Sequence, residues 1–494
     1  MAAPKILGLE TEFGIVQRGT SDWDPVAASS LVVRSYTDRA VAWNFDDEHP
    51  ERDARGRAER DGYAPMVETA MLNTVLTNGA RLYVDHAHPE YSSPEVRTPR
   101  EAVLFDRAGE EIAIQAMRRA SARLPEGEEV ILHKNNADGK GNSYGCHENY
   151  LIARQISFDD VIAMLVPWFV SRQIFAGAGK VGAENGRPDV PFQLSQRADF
   201  FEAVVGIETT LKRPIVNTRD EPHADPKHWR RLHVIVGDAN LCETATWLKV
   251  GLTALVLAAL EDGFTEPPIR LAHPVRSMWQ VSHDSTCRAL LESEGGTTIS
   301  ALDLQWEFLA LVDRYVEATG GLAVTDEKEC AGLLDTWERV LNGLEHDPDS
   351  LVGVVDWITK GHLIESFASR DGLADDDPKL ALIDLQYHDL RPDRSLFQRL
   401  KSAGRVDVLL DPSDVATALY APPESTRAYF RGTCLSRWPD EVRAASWDSL
   451  VFDVGGASLQ RVATMDPLKG TRDLVGDIFD SVTTAGDLLA RLAR

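Results

Sequence analysis

The sequence predicts an α+β protein built on a mainly antiparallel sheet. Strand-like segments come in adjacent pairs, whereas helical segments come in blocks, most clearly between residues 300 and 373. No GxGxxG motif follows a predicted strand and no GxxxxGK[ST] motif occurs, so neither a dinucleotide-binding βαβ unit nor a P-loop is expected. An Ala-Pro-Pro stretch at 421–423 separates a large domain, residues 1–420, from a small α/β domain, residues 421–494.

The remaining elements follow from periodicity and turn residues. Alternation and β-branched residues predict strands at residues 5–15, 81–85, 129–135, 143–153 and 230–236. Helical spacing of apolar residues predicts helices at 64–77, 100–123, 159–175 and 242–262, and repeatedly from 300 to 373. Asn78-Gly79 predicts a tight turn, and residues 177–186 a loop.

Residues 37–62 differ from the rest of the chain in composition. Half of its residues are charged, with both signs mixed, and Pro50 and Gly56 interrupt any regular pattern. Such a composition predicts a mobile surface loop. It is either a solvated insertion without a role or, because Trp43, Phe45 and the RDARG run lie close to predicted site strands, part of the functional site.

Composition excludes several classes of function. The chain has 494 residues, is 43% hydrophobic and carries a net charge of −25, which argues against binding to nucleic acid. Its five cysteines form no CxxC pair, as is typical of a reduced cytosolic protein. The N-terminus lacks a signal-like apolar run, and the apolar stretches at 161–170 and 250–260 are too short to span a membrane. We therefore expect a cytoplasmic protein that binds neither nucleic acid nor membrane.

Polar side chains occupy alternate positions in four predicted strand segments. Residues i and i+2 of a strand project from the same face, so each segment directs two polar groups the same way. The segments are Glu10-Thr11-Glu12, Tyr83-Val84-Asp85, His147-Glu148-Asn149 and Arg231-Leu232-His233. A sheet face that collects carboxylates, imidazoles and a guanidinium is unfavourable without a compensating ligand. The pattern predicts a site for Mg²⁺ and nucleotide phosphates, and therefore an enzyme.

Each of these candidates also has a purely structural interpretation. Glu10 and Glu12 are either Mg²⁺ ligands or two acids on a solvated strand face. Asp85 is either a nucleophile or base near a metal, or an acid that ends a strand. His147, paired with Asn149, is either a metal or phosphate contact or a core histidine satisfied by the backbone. Arginine binds phosphate through two N–H groups, although any single arginine is more often on the surface; the candidates are Arg81, Arg197, Arg219 and Arg231.

Several motifs in one order give a more specific indication. They are GLETEFG, NGARLYVDHAHPEYSSPE, GCHENY, RRLHVIVGDANLCE, IDLQYHDLRPD and STRAYFRG. Together they resemble the Pup ligase/Pup deamidase family, within the glutamine synthetase-like carboxylate–amine ligases, over nearly the whole chain. YVDHAHPEYSSPE and the insertion at residues 37–62, with its ERDARG, resemble the deamidase branch of that family.

The resemblance implies a glutamine synthetase-like large domain whose curved, mainly antiparallel sheet, backed by helices, cradles ATP or ADP with Mg²⁺. Metal contacts are implied for Glu10, Tyr83, Glu90, His147 and His233. Nucleotide contacts are implied for Arg81, Ser93, Asn149, Arg197, Arg219, Arg231 and Trp447. Asp85 matches the family's central aspartate.

The resemblance also implies a reaction and its partners. The C-terminal glutamine of the small protein Pup is converted to glutamate, and Pup is released from lysines of pupylated proteins, with the nucleotide as a bound cofactor that is not consumed. Asp85 either attacks the carbonyl carbon or acts as base toward water. The alternatives are an ATP-dependent Pup–protein ligase and an inactive Pup-binding regulatory module. We expect a monomer.

Overall fold

The computed structural model describes residues 1–37, 41–45, 48, 51–55 and 72–493. In chain order the strands are β1 (Leu7–Glu12), β2 (Gly14–Arg18), β3 (Ala42–Trp43), β4 (Asn73–Val75), β5 (Arg81–Asp85), β6 (His88–Ser92), β7 (Glu129–His133), β8 (Cys146–Ala153), β9 (Lys180–Val181), β10 (Phe192–Gln193), β11 (Phe201–Gly206), β12 (Arg213–Asn217), β13 (Trp229–Val234), β14 (Leu290–Glu292), β15 (Thr298–Ser300), β16 (Val442–Ala445), β17 (Ser449–Phe452) and β18 (Gln460–Ala463).

The helices pack around and beyond these strands. In chain order they are α1 (Pro25–Tyr36), α2 (Pro99–Ser121), α3 (Phe158–Ser171), α4 (Gln173–Ala176), α5 (Glu243–Glu261), α6 (Pro274–Ser282), α7 (Ala301–Thr319), α8 (Glu327–His346), α9 (Asp356–Asp371), α10 (Pro378–Tyr387), α11 (Leu396–Ser402), α12 (Pro412–Ala418), α13 (Ala428–Arg437), α14 (Arg472–Ser481) and α15 (Ala485–Leu492).

A six-stranded antiparallel sheet, in the order β13-β8-β1-β6-β5-β4, positions the candidate site. Apolar side chains such as Leu9, Leu82 and Leu232 project from one face and are buried against helices α1, α2, α3 and α5. Because side chains alternate along a strand, the residues between them project from the opposite face. The large core thus lies on one side of the sheet and the polar groups on the other.

Two long helices support the apolar face. Helix α2 begins at a capping box, in which Thr98 accepts from the backbone N–H of Glu101 and the Glu101 side chain accepts in return. Helix α5 is long and apolar enough, by composition, to cross a membrane, but 94% of its most apolar window is buried inside the protein. Its length and hydrophobicity are those of a core helix.

A second core lies around a four-stranded sheet, β18-β17-β16-β3, and helices α13–α15. Strand β3 pairs in parallel with β16, so Trp43 enters a core whose other members come mainly from residues 430–489. The predicted small domain therefore shares its sheet with a segment far away in sequence. The predicted boundary at residue 421 lies between α12 and α13 and stays a prediction.

Several expectations about single elements need correction. The predicted helix at 64–77 is wrong at Asn73–Val75, which is a strand because the Asn78-Gly79 turn joins it to β5 as a hairpin; residues 64–71 lie outside the described residues. The predicted strand at 5–15 is two strands that separate at Phe13. Within the predicted loop at 177–186, Lys180–Val181 pairs with Phe192–Gln193.

The predicted mobile loop at residues 37–62 falls partly outside the described chain. Its described parts are paired with the rest of the protein. Val41 forms an isolated bridge with Val75, and Asp53 forms one with Arg219. Asp53 also pairs with Arg55 through the guanidinium Nε, at 3.0 Å. These parts lie beside the site strands.

Candidate active site

The polar face of the six-stranded sheet collects the side chains singled out from the sequence. Glu10 of β1 lies opposite His147 of β8 and Ser92 of β6, so the three share a face. By the same register, Glu12 and Tyr83 lie opposite Glu90, and Asn149 lies opposite His233. The sequence-based prediction that these i, i+2 pairs share one face is confirmed.

Three carboxylates form the first cluster. Oxygens of Glu12, Asp85 and Glu90 all lie within 4.8 Å of one another. The Tyr83 hydroxyl donates a hydrogen bond to Glu90. Burial, together with the charges of Asp85, Glu10 and Glu12, raises the pKa of Glu90 well above its usual range. A divalent cation would relieve this crowding of negative charge.

Glu12 is held ionised within this cluster. The backbone N–H of Gly145 donates to its Oε1 at 2.8 Å, and His88 Nδ1 lies 3.3 Å from its Oε2. Burial opposes ionisation, but the His88 imidazole beside it and the charge of His147 lower the pKa of Glu12 to about 2. Glu12 therefore carries a negative charge at neutral pH.

A second cluster joins a carboxylate to two imidazoles. Ligand atoms of Glu10, His147 and His233 lie within 4.8 Å of one another. Asn149 connects them, because its Nδ2 donates to Glu10 at 2.8 Å and its Oδ1 lies 3.1 Å from His233 Nδ1. Burial opposes ionisation of Glu10, but the hydrogen bond with His147 and the charges of His233, His147 and Arg231 hold its pKa well below the usual range.

Burial lowers the pKa of His233 well below its usual range, which favours the neutral imidazole. Neutral imidazole is the form that binds metal ions.

The two clusters meet on β1, where Glu10 and Glu12 are two residues apart. Carboxylate oxygens predominate among the donors, which suits Mg²⁺, a hard cation that prefers oxygen ligands. The residues present therefore fit one or more divalent cations.

Asp85 lies at the end of β5, where the cluster meets a broad cleft. Its side chain is 24% exposed, and His86 Nδ1 lies 3.1 Å from its Oδ2. The cleft has a volume of about 830 Å³ and is lined by Glu12, Asp85, His88 and His147 among others. Asp85 is thus a carboxylate beside a candidate metal centre that a substrate can reach from solvent.

A narrower pocket opens at the other end of the same strands. It is lined by Gly8, Ser93, Asn149, Arg231 and Trp447 among others. Arg231 donates to Asn149 Oδ1 at 2.9 Å and to the carbonyl of Glu221 at 2.8 Å, which fixes its guanidinium. Apolar walls with a few fixed polar groups are typical of a small-ligand pocket.

Of the other three predicted phosphate-binding arginines, Arg197 alone lines one of these two openings. The Arg81 guanidinium stacks between the rings of Trp43, at 4.1 Å, and Tyr83, at 3.9 Å. Arg197 lines the broad cleft, and its buried Nε has no hydrogen-bond partner. Arg219 also has a buried Nε without a partner and lies near enough to His233 to affect its pKa. A buried N–H without an acceptor is costly, so a ligand that accepts from these Nε atoms is favoured.

Two residues of the site were missed by the sequence analysis. His88 packs against Tyr144, with ring centroids 4.4 Å apart, and contacts Glu12. Arg213 begins β12 and reaches the broad cleft from outside the six-stranded sheet. His88 could have been found, because it lies two residues before Glu90 on the same strand. Arg213 carries no comparable local pattern.

The comparisons with known sequences cover nearly the whole chain. The family model for the Pup-ligase protein matches residues 5–451. The chain is 51% identical over 501 residues to a depupylase from Acidothermus cellulolyticus, with 99% of each chain covered. It is 44% identical to a Pup deamidase/depupylase from Mycolicibacterium smegmatis, again with 99% of each covered. A Pup–protein ligase from Jonesia denitrificans is 37% identical over 97% of this chain and 99% of its own length.

Solved structures agree with these similarities. The complex between the prokaryotic ubiquitin-like protein Pup and its ligase PafA matches with a TM-score of 0.83 and 32% identity, over 99% of this chain and 94% of that chain. The Pup ligase PafA in complex with ADP matches with a TM-score of 0.75 and 36% identity, over 83% of this chain and 89% of that chain.

Proposed function

The chain belongs to the Pup-ligase family, and on that premise we propose that it deamidates the C-terminal glutamine of Pup and hydrolyses the isopeptide bond between Pup and lysine. Full-length identity of 51% and 44% to a depupylase and a Pup deamidase/depupylase supports this function. The observation that carries it in the structure is Asp85, placed among carboxylates at the mouth of the broad cleft. Both substrates present a carbonyl bonded to nitrogen, so one site serves both reactions.

A Pup–protein ligase is the second candidate. It is supported by a relative of lower identity, 37%, and by the likeness to PafA. A ligase would join glutamate-ended Pup to lysine and would leave glutamine-ended Pup unchanged. The higher identity to deamidases favours hydrolysis.

The cofactors in this proposal are Mg²⁺ and a nucleotide. Glu10, Glu12, Glu90 and the neighbouring histidines, His147 and His233, would hold the metal ions, with the Tyr83 hydroxyl supporting Glu90. Bound metal would polarise the carbonyl and stabilise negative charge that develops on its oxygen.

Nucleotide binding is supported by the likeness to the PafA complex with ADP. We assign the narrow pocket to it, with Ser93, Trp447 and Asn149 in the walls. Arg231 and Arg81 are fixed by their neighbours at the edges of the polar face, where phosphates would accept from them. Arg219, whose buried Nε is unsatisfied, lies near His233 and would also donate to the phosphates. Arg197 lines the broad cleft instead, and its part in nucleotide binding stays a prediction.

Asp85 has two chemically complete roles. As nucleophile, its carboxylate oxygen forms a bond to the carbonyl carbon and the C–N bond breaks. The nitrogen takes a proton from water and leaves as ammonia or the lysine amine. Water then hydrolyses the resulting anhydride and restores Asp85. As general base, Asp85 instead accepts a proton from the water that attacks the carbonyl. It then returns this proton to the nitrogen, so that the C–N bond breaks and ammonia or the lysine amine leaves. Single turnover in H₂¹⁸O separates the roles, because only the nucleophilic route can place label in Asp85.

Further parts of the proposal concern the setting of the reaction. We propose a cytoplasmic monomer that acts on pupylated proteins as well as on free Pup. The net charge of −25 and the absence of CxxC motifs are consistent with this setting.

The test is mass spectrometry of glutamine-ended Pup after incubation with the protein, Mg²⁺ and ATP or ADP. A deamidase adds about one mass unit, because an amide becomes a carboxyl group. Asp85→Asn should lose this activity, whereas Asp376→Asn, which changes an exposed acid, should retain it. Conjugation of glutamate-ended Pup to lysines, with glutamine-ended Pup unchanged, would indicate the ligase instead. Binding of Pup without turnover of either form would indicate an inactive regulatory module.

A further inference from the structure

Arg213 reaches into the broad cleft that also contains Asp85. It is the first residue of β12, which pairs with β11 outside the six-stranded sheet. The guanidinium therefore reaches the broad cleft, beside the carboxylate cluster, from the two-stranded β11–β12 sheet. Its position raises the question of which group in the cleft it binds.

The Arg213 guanidinium is held in place by uncharged groups. Nε donates to the carbonyl of Thr209 at 2.9 Å, and one terminal nitrogen donates to the carbonyl of Ser143 at 2.8 Å. The ring of Phe200 lies 5.8 Å from its Cζ. These contacts use two of the five N–H groups and fix the plane of the fork, which leaves donors for a further acceptor.

No described carboxylate forms an ion pair with Arg213 or with the neighbouring Arg197. The two guanidinium groups are close enough that Arg213 adds to the effect of burial in lowering the pKa of Arg197. Glu12 and Glu202 attract Arg213 only from a longer range. A buried cation beside a partly buried one, with no ion-paired acid, is unfavourable, and an anion bound in the cleft would compensate both.

We propose that Arg213 binds the terminal α-carboxylate of the substrate's last residue and so orients its side-chain carbonyl toward Asp85. This inference rests on the proposed function. The α-carboxyl and side-chain carbonyl carbons of glutamine are about 5 Å apart when extended, because four single bonds separate them. Arg213 and Asp85 line the same cleft, in which such a residue would bind.

The assignment explains why one site would serve both reactions. Glutamine-ended Pup and Pup linked to lysine through its side chain differ only at the scissile nitrogen, and both retain a free α-carboxylate. Arg213 would bind the α-carboxylate that the two substrates share. An internal glutamine lacks this carboxylate and would be excluded, which protects other proteins from deamidation.

The test compares two synthetic substrates, glutamine-ended Pup with a free α-carboxylate and the same chain with an α-carboxamide. The unaltered protein should process the α-carboxamide with a kcat/KM lower by roughly 10- to 100-fold, because a charge-assisted contact is lost. Arg213→Met should lower kcat/KM for the free carboxylate by a similar factor and leave the α-carboxamide nearly unaffected. Discrimination between the two substrates should thus disappear.

Two further variants separate recognition from folding. Arg213→Lys keeps the charge without the planar fork and should retain part of the discrimination. Arg187→Met is the matched control, since Arg187 also donates to a backbone carbonyl, that of Phe201, but does not line the cleft. Equal processing of both substrates by the unaltered protein would overturn the inference alone. Turnover of neither substrate would overturn the proposed function and the inference with it.

Discussion

Glu95 links the site to the second core through two buried arginines. It follows β6, lines the narrow pocket and accepts from Arg427 Nε at 2.7 Å and from Arg431. Both arginines belong to the start of α13, and their side chains are 3% and 1% exposed. Replacing Glu95 with Gln would leave two buried guanidinium groups without their anion. We expect this single change to be strongly destabilising.

The magnitude follows from the electrostatics of Glu95. Burial opposes its ionisation, but Arg431 and Arg427 hold its pKa at about 2, against an ordinary value of 4.5. Such a difference corresponds to about 3 kcal/mol of stability at neutral pH. Because the folded pKa is the lower one, this contribution is present above pH 4.5 and is lost as the pH falls toward 2. Breaking a buried ion pair gives a similar figure, about 3–5 kcal/mol.

The assay is chemical denaturation followed by tryptophan fluorescence, with Glu424→Gln as control. Glu424 also pairs with an arginine, Arg472, but the Glu424 side chain is 60% exposed and that of Arg472 is 59% exposed. Solvent and salt screen an exposed pair, so the control should be nearly neutral. Glu95→Gln should lower the free energy of unfolding by about 3 kcal/mol at pH 7, and the difference from the unaltered protein should shrink below pH 4.5. A loss no larger than that of the control would refute the reasoning.

Three further predictions concern the site and the core. Gly145→Ala would place a methyl group 2.2 Å from His147 Nε2 and 2.8 Å from Glu12 Oε1, so turnover should fall at least about 10-fold, while circular dichroism shows that the protein is folded. The control Gly476→Ala, whose Cβ has no contact closer than 3.6 Å, should be active. An active Gly145→Ala would count against the metal assignment. Chelation of divalent cations should abolish turnover reversibly without unfolding, because the apolar core lies on the opposite sheet face; activity in excess chelator would contradict the proposed cofactor. All five cysteines are buried, and burial raises the pKa of their thiols, so they should react with a thiol reagent only after unfolding. Rapid labelling of the native protein would show that the packing around the cysteines is wrong.

Local patterns in the sequence predicted which groups share a face, but not which strands are neighbours. The alternation in Glu10-Thr11-Glu12 and Tyr83-Val84-Asp85 directs polar groups to one side because side chains alternate in any strand. That β1 lies between β6 and β8 depends on pairing across about 80 residues for β6 and more than 130 for β8, which no local pattern specifies. The helices at 100–123 and 242–262 were predicted to within two residues because burial of their apolar faces reinforces propensity.

The errors have a common physical origin in contacts made at long range. Asn73–Val75 reads as helical in isolation but becomes a strand because β5 offers it a partner across a tight turn. Ala42–Trp43 lies in a charged segment, yet it completes a sheet whose other strands lie some 400 residues later. Arg213 enters the cleft from a separate two-stranded unit. Tertiary partners decide the state of each of these segments.

The two openings on the polar face imply an order of events. The narrow pocket includes Glu10 and the start of β1, whereas the broad cleft includes Glu12 and the residues after it. A nucleotide in the first and a peptide end in the second would approach the metal centre from opposite ends of one strand. Peptides could then enter and leave repeatedly while the nucleotide stays in place. The enzyme would bind the nucleotide once and retain it through many turnovers, as it would a prosthetic group.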